Sequence, residues 1–307
     1  MMDWILLHSS ASSFEHRGLY FVEEFSVLVI VHGREDHLRR LLQGVDASRQ
    51  RPAEVVVAYM NEPDPAPLEC SVPLRTIHVT STLEDSSLPL ARARNAAAAA
   101  AQTPNLVFLD VDSIPAAGLF STFLQALGQG PVLAMAEPRY LKQPLDPGQA
   151  VSEEQLLASS VPHHTRLGLP RASTMSGHEM FWSLGFAMAA SVFERVGGFD
   201  EQYQGYGAED TDFAFRVRDA GIPIHFVEDP VFHQHHGVHA PPLNHFSDII
   251  ANARRFHAQW RVWPMEGWLK EFSRMGLISW RPSHTELTVH RPPEREEISA
   301  ARSLAPY

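Results

Sequence analysis

The sequence predicts an α/β protein built on a mostly parallel central sheet with helices on its faces. Three observations carry this. The runs Phe25–Val31, Glu54–Met60 and Leu106–Asp110 are short and rich in Val, Ile, Leu and Phe, as strands buried on both faces are. Helical patterns lie between them. Right-handed crossovers of that length would place the loops after Val31, Met60 and Asp110 along one carboxyl-terminal edge.

The elements follow in order. After the strand Phe25–Val31, Leu38, Leu41 and Leu42 give an apolar helix face behind Arg34-Glu35-Asp36. Glu54–Met60 is the second strand and Thr76–Thr80 a weaker one; Ala91–Ala101 is an alanine-rich helix, ahead of the strand ending at Asp110. Pro131–Tyr140 adds a further strand. Leu141–Thr174, broken by Pro144, Pro147, Pro162 and Pro170, reads as a loop-rich insertion over the site. Met180–Val196 resumes apolar spacing, Gly197-Gly198-Phe199-Asp200 makes a turn, and Phe213, Phe215 and Val217 fit a helix ending near Gly221. Ile224–Val227 and Val231-Phe232 read as two short strands separated by Pro230. Asn244–Leu277 is helical, with Ile249, Ile250, Ala253 and Phe256 at core spacing; beyond Pro282 the chain is expected to be extended, with its last dozen residues loose.

Composition bounds the function. With 44% hydrophobic residues, 307 residues suffice for one large core, alone or with an appended subdomain. A net charge of −11 argues against a generic nucleic-acid binder, and an anionic ligand would need a metal or a local basic cluster. Cys70 is the only cysteine, which rules out an intrachain disulfide and suits a reducing, cytoplasmic setting. Met1–Phe21 lacks the basic start and apolar core of an export signal, and no apolar run reaches the about 18 residues of a transmembrane segment. Trp260, Trp263 and Trp268 could complete the core or form a subunit or membrane-proximal contact, so a homo-oligomer and a peripheral membrane contact both stay open.

Three clusters carry chemistry. Asp110-Val111-Asp112 closes a buried strand, and a loop there lets both carboxylates converge on one cation, although strand alternation would point them apart. A carboxylate at such an edge is costly without a cation, donor or water. In Gly205-Tyr206-Gly207-Ala208-Glu209-Asp210-Thr211-Asp212, glycines permit a tight loop and the acids occupy a helix first turn, where Glu209 or Asp210 could take a proton from a hydroxyl. Helix capping is the plainer reading, but three acids exceed what a cap needs. In Phe232-His233-Gln234-His235-His236-Gly237, one histidine suits a cation already held by carboxylates, with the others as surrounding groups. Trp182 could wall a sugar or pack in the core.

Together these residues resemble A-fold (GT-A) nucleotide-sugar glycosyltransferases of the inverting family 2 type. The likeness extends to chondroitin polymerase catalytic domains, more distantly to polypeptide N-acetylgalactosaminyltransferases, and to a galactosyltransferase-like C-terminal region. It covers about Phe25 to Val238 and rests on Val27–Val31, Ala91–Asn95, Asp110-Val111-Asp112, Val196–Glu201 with Gly207–Asp212, and Phe232-His233. The resemblance implies a Rossmann-like catalytic domain over residues 23–243, with a nucleotide-binding half at 23–112 and a small acceptor-side subdomain at 113–243. Residues 1–22 would be an N-terminal extension and 244–307 a helical C-terminal extension and tail.

It also implies roles. Val31 and His32 would lie under the base or ribose, Arg94 near the base or diphosphate, and Asp110 at the ribose or the metal's surroundings. Asp112 and His233 would bind a divalent cation, Mn2+ or Mg2+. Asp210 would be the catalytic base and Glu209 would meet acceptor hydroxyls. The partners would be a nucleoside-diphosphate sugar, UDP first and GDP second, and a carbohydrate or other hydroxyl-bearing acceptor. Relatives commonly end the second strand with acidic residues; this chain has Ala58-Tyr59-Met60-Asn61-Glu62, where Tyr59 would stack and Asn61 hydrogen-bond. Nucleotidyl transfer, phosphoester hydrolysis, or binding of a nucleotide or glycan without catalysis are the alternatives.

Overall fold

The computed structural model of the protein describes residues 24–63, 67–81, 87–146, 151–166 and 176–304. The expectations for Met1–Phe21, for part of the insertion before Thr174 and for the last three residues lie outside these.

The first half alternates as its apolar runs dictate: β1 (Phe25–Val31), α1 (Glu35–Asp46), β2 (Glu54–Met60), β3 (Leu74–Val79), α2 (Leu90–Ala100) and β4 (Asn105–Asp110). The four strands are parallel in the order β3-β2-β1-β4. Val31 pairs with Tyr59 and Ile30 with Asp110, so all three strands end on one edge. Both faces are covered. Leu38, Leu41, Leu42 and Val45 of α1 pack on one side and Ala91, Ala93 and Ala97 of α2 on the other, where alanine lets the helix lie close to the sheet.

The second half is mixed rather than parallel. It runs β5 (Ser113–Pro115), α3 (Leu119–Leu127), β6 (Leu133–Leu141), α4 (Glu153–Ser159), β7 (Ser160–Pro162), β8 (Gly185–Ala189), α5 (Ala190–Val196), α6 (Glu209–Asp219) and β9 (Ile224–His233). These strands extend the sheet as β4-β8-β6-β9-β5, with β8 antiparallel to β4 and β5 antiparallel to β9. Phe108 stacks on Phe186 at 4.4 Å and Phe199 on Phe213 at 4.3 Å, pairs that add about 0.5–1.5 kcal/mol each beyond area burial.

Three expectations need correction. The two strands around Pro230 are one strand, β9; a register shift against β6 between Met135 and Glu137 accommodates a residue that cannot donate to the ladder. The insertion after Leu141 is not all loop, because Ser152 and Gln155 form a reciprocal cap that starts α4. The chain end is not loose through its last dozen residues. After β10 (Val238–His239), α7 (Phe246–Trp260), α8 (Glu266–Arg274), β11 (Ile278–Ser279) and β12 (Thr288–Val289), it forms α9 (Arg295–Ala300) and β13 (Arg302–Ser303). Arg291 grips Glu297 of α9 through two hydrogen bonds of 2.7 and 2.8 Å, and β13 pairs with β10. Residues 243–287 carry their own apolar cluster, in which Trp263 and Trp280 are buried. No helix among the described residues is long and apolar enough to cross a membrane.

Candidate active site

The carboxyl-terminal edge of the sheet gathers two groups of polar side chains. The first is set by backbone pairing. Asp112 lies in the short turn between β4 and β5, and the next residue, Ser113, pairs with His233 across the β5–β9 ladder. The turn after His233 brings in His236. Ligand atoms of Asp112, His233 and His236 all lie within 4.8 Å of one another, close enough to share one cation. Burial, reinforced by the Arg34 guanidinium and neighbouring imidazoles, holds the pKa of His233 well below its usual value and that of His236 below it. Both rings are neutral at pH 7 and can offer a lone pair.

Asp112 has further company from α1. His37 Nδ1 lies 2.5 Å from its Oδ1, His236 Nε2 lies 3.5 Å from its Oδ2, and Arg34 pairs with the same oxygen. His37 is driven down to about 4, first by burial and then by Arg34. Neither His37 nor Arg34 is foreseen by the sequence reading, which places α1 by its leucines; only their position just past the end of β1 hints at the site. Gln234 braces the group, donating its backbone N–H to Asp112 O at 2.7 Å and its side-chain amide to His37 O at 3.0 Å.

Asp110 stands outside this cluster. Its Oδ1 accepts from Arg94 at 2.9 Å, and the other arm of the buried Arg94 reaches Glu209 at 3.2 Å. The two carboxylates of Asp110-Val111-Asp112 therefore diverge, as strand alternation suggests, and Arg94 is a bridge between β4 and α6. Asp110 and Glu209 keep it charged in spite of its burial, with its pKa above the ordinary value.

Arg94 joins this pair to the second group, at the amino terminus of α6. Asp210 Oδ1 accepts from Thr211 N at 2.7 Å, and burial, then repulsion from Glu209, raises the Asp210 pKa to about 7 against the pull of Arg94. Burial first, and then the reluctance of the two neighbouring acids to carry two negative charges, makes Asp210 basic. The third acid is structural. Asp212 is fully buried and accepts from Trp260 Nε1 at 2.8 Å, Arg216 Nε at 2.9 Å and Tyr203 Oη at 3.4 Å. Asp212→Ala should cost about 3–5 kcal/mol in denaturant unfolding by stranding these donors.

The loop before Asp210 is held by the C-terminal helices. Gly205 has φ +65°, and a Cβ there would lie 2.1 Å from Asp248 Oδ2, which accepts from Tyr206 N at 3.2 Å. Asn252 donates to Gln204 O at 2.9 Å. Tyr206 is exposed and stacks on His245 at 4.6 Å and Trp268 at 5.7 Å, forming an aromatic surface on the loop that leads into α6.

The remaining expected residues are dispersed around this edge. Val31 is buried at the end of β1. His32 is exposed, with Nδ1 2.8 Å from Met60 O and 3.0 Å from Glu62, which also accepts from Gly33 N. Glu62 thus supplies an acid just beyond the second strand. The Tyr59 ring is buried against His78 at 5.9 Å, and its hydroxyl is pushed up to about 12, chiefly by burial. Asn61 takes a left-handed turn (φ 53°) and spends its amide on Ser81 N at 2.7 Å and Ser87 O at 3.3 Å. Trp182 is partly buried, with Arg166 4.3 Å over its ring and His163 against its edge at 4.8 Å. His163 in turn meets Tyr140, which lies 5.0 Å from the His233 ring.

Residues 163–239 match the family model described as the N-terminal domain of galactosyltransferase. Over 195 residues, 56% of this chain, the sequence is 28% identical to a validoxylamine A glucosyltransferase of Streptomyces hygroscopicus subsp. jinggangensis. A protein of the same description from S. hygroscopicus subsp. limoneus matches at the same identity. The match spans 45% and 42% of their lengths, so the chain aligns with less than half of each relative. Among solved structures, S. aureus TarS residues 1–349 in complex with UDP-GlcNAc superposes at a TM-score of 0.51, with 14% identity over 76% of this chain and 66% of that one. The expected α/β architecture, a GT-A-like sheet flanked by helices, is therefore shared with TarS.

Proposed function

We propose that this protein is a metal-dependent inverting glycosyltransferase that moves a sugar from a nucleoside-diphosphate sugar to an acceptor hydroxyl. The observation that carries the reading is the pairing of two functions on one sheet edge: a carboxylate with two neutral imidazoles around one point, and, tied to the same edge through Arg94, a carboxylate raised to near-neutral pKa. The likeness to the Streptomyces glucosyltransferases supports it, and the UDP-GlcNAc complex of TarS favours a UDP-sugar over a GDP-sugar as donor.

Asp112, His233 and His236 would hold a divalent ion, Mn2+ or Mg2+, whose charge would stabilise the departing diphosphate. Asp210 takes the proton of the acceptor hydroxyl as its oxygen bonds to the anomeric carbon and the bond to the diphosphate oxygen breaks on the opposite face. Nucleoside diphosphate leaves, and no covalent sugar–enzyme bond forms. Glu209, held by Arg94, keeps Asp210 basic and faces acceptor hydroxyls. At the nucleotide end, the exposed His32 and the partly buried Glu62 are the polar pair beside Val31, whereas Asn61 and the buried Tyr59 shape the strand end. Trp182 walls the sugar from the side of Tyr140. The Tyr206 surface, on the loop that leads into Asp210, would offer a stacking face for a carbohydrate acceptor.

A panel of nucleotide sugars with Mn2+ or Mg2+, read by release of nucleoside diphosphate and by product identity, tests the reading. Pyrophosphate or orthophosphate as primary product would instead indicate nucleotidyl transfer or phosphoester hydrolysis. Chelation should abolish turnover, and His236→Ala should weaken Mn2+ binding by at least about 10-fold, the scale of losing even an orienting group around a metal. Unaltered Mn2+ affinity in that variant would remove His236 from the ligand set.

A further inference from the structure

The far end of the chain returns to the histidine loop. β13 (Arg302–Ser303) lies antiparallel to β10, with Ser303 opposite Val238 and Arg302 opposite His239. Ala240 donates its N–H to Ala301 O at 2.8 Å, and the His235 ring meets Leu304 O through Nε2, also at 2.8 Å. These ties fall on both sides of His236. His233 belongs to β9 and is located by the ladder with β5, but His236 lies in the turn between β9 and β10, in neither strand.

We propose that Arg302–Leu304 is a strap that positions His236 for metal binding. The proposal rests on the reading of Asp112, His233 and His236 as metal ligands. The anchor of the strap is firm, since α9 immediately before it is clamped by Arg291 on Glu297. The strap's partners are mostly main-chain atoms, so its effect follows from the path of the chain and not from the side chains at 302–304. Releasing it frees His236 while leaving Asp112 and His233 in place, so metal binding weakens without disappearing.

The test uses the full chain with Arg302→Pro and Ser303→Pro together, which removes whichever of the two N–H groups serves the ladder. Leu304→Ala is the control, because that side chain is 67% exposed and its carbonyl is retained. Mn2+ affinity is read from the electron paramagnetic resonance of free ion, and hydrogen exchange of amides 235–240 is measured on the metal-free protein. In the proline variant, exchange at 235–240 should accelerate and Mn2+ affinity fall about 10- to 100-fold, as when groups orienting a ligand are lost; Leu304→Ala should change neither. Mn2+ held equally by the unchanged and proline proteins overturns the strap alone. No Mn2+ binding by the unchanged protein overturns the metal assignment, and the strap's role with it. Should the proline variant not fold, His235→Ala and His235→Gln decide: weaker Mn2+ binding in the alanine variant only supports the strap, and equal binding in both overturns it.

Discussion

Asp210→Asn is expected to lower transfer by about 10²- to 10⁴-fold, the contribution of a positioned general base, while nucleotide binding persists. Asparagine preserves shape and the hydrogen bond from Thr211 N but cannot accept a proton from a hydroxyl. The unaltered protein should give a matching pH signature. In the proposed role Asp210 acts only when ionised, and its folded pKa is raised to about 7, so the rate should climb as pH rises through neutrality and fall below it. An ordinary, unshifted carboxylate would place that limb nearer pH 4. Rate–pH profiles with saturating donor, alongside nucleotide titrations of the variant, check both. Near-normal turnover by the asparagine protein would take the base role from Asp210.

Arg94→Met should have the next largest effect, and on two observables at once. The guanidinium is 4% exposed and neutralises Asp110 and Glu209, so its loss strands negative charge at a site with little water. Breaking a buried pair from one side costs about 3–5 kcal/mol, which denaturant unfolding would register. Arg94 also draws the Asp210 pKa downward; without it that pKa moves higher still. The acid limb of the rate profile therefore shifts to higher pH, and activity at neutrality drops for want of ionised base. Arg94→Lys restores the charge but not the two-armed reach to Asp110 and Glu209, and should fall between. A limb that stays put, with stability lost, would make Arg94 a scaffold residue only.

Legibility tracked how far each signal reaches along the chain. The parallel half is readable because β1, β2 and β4 are apolar but for Ser26, Glu54 and the two ends of β4, Asn105 and Asp110, and burial on both faces leaves no alternation to misread. β5 and β7, of three residues each, are too short to show a period, and α3 was overlooked although its Leu119, Phe120 and Phe123 are buried. Pro230 masked the continuity of β9 by its own chemistry. At the site, Asp112, His233, Glu209 and Asp210 could be singled out because each belongs to a local run of functional groups. His37 could not, since it meets Asp112 across 75 residues from a helix whose leucines explain it fully. Asp110 misleads for a related reason: its tie to Arg94 links two separate elements, and the sequence shows only its neighbour Asp112.

The β5–β9 ladder has a consequence for how the centre tolerates change. Paired strands stand about 4.8 Å apart, so the gap between the start of β5 and the end of β9 is ruled by main-chain geometry. Because side chains alternate with a period of two, one residue inserted between Asp112 and Ile114 would rotate the carboxylate away from the imidazole it faces. That short stretch is therefore fixed in length, whatever composition it could accept. The gauge between Asp112 and His233 is cut into the sheet itself, and in the proposed metal centre discrimination among ions of similar radius would fall to the chemistry of one oxygen and two nitrogens.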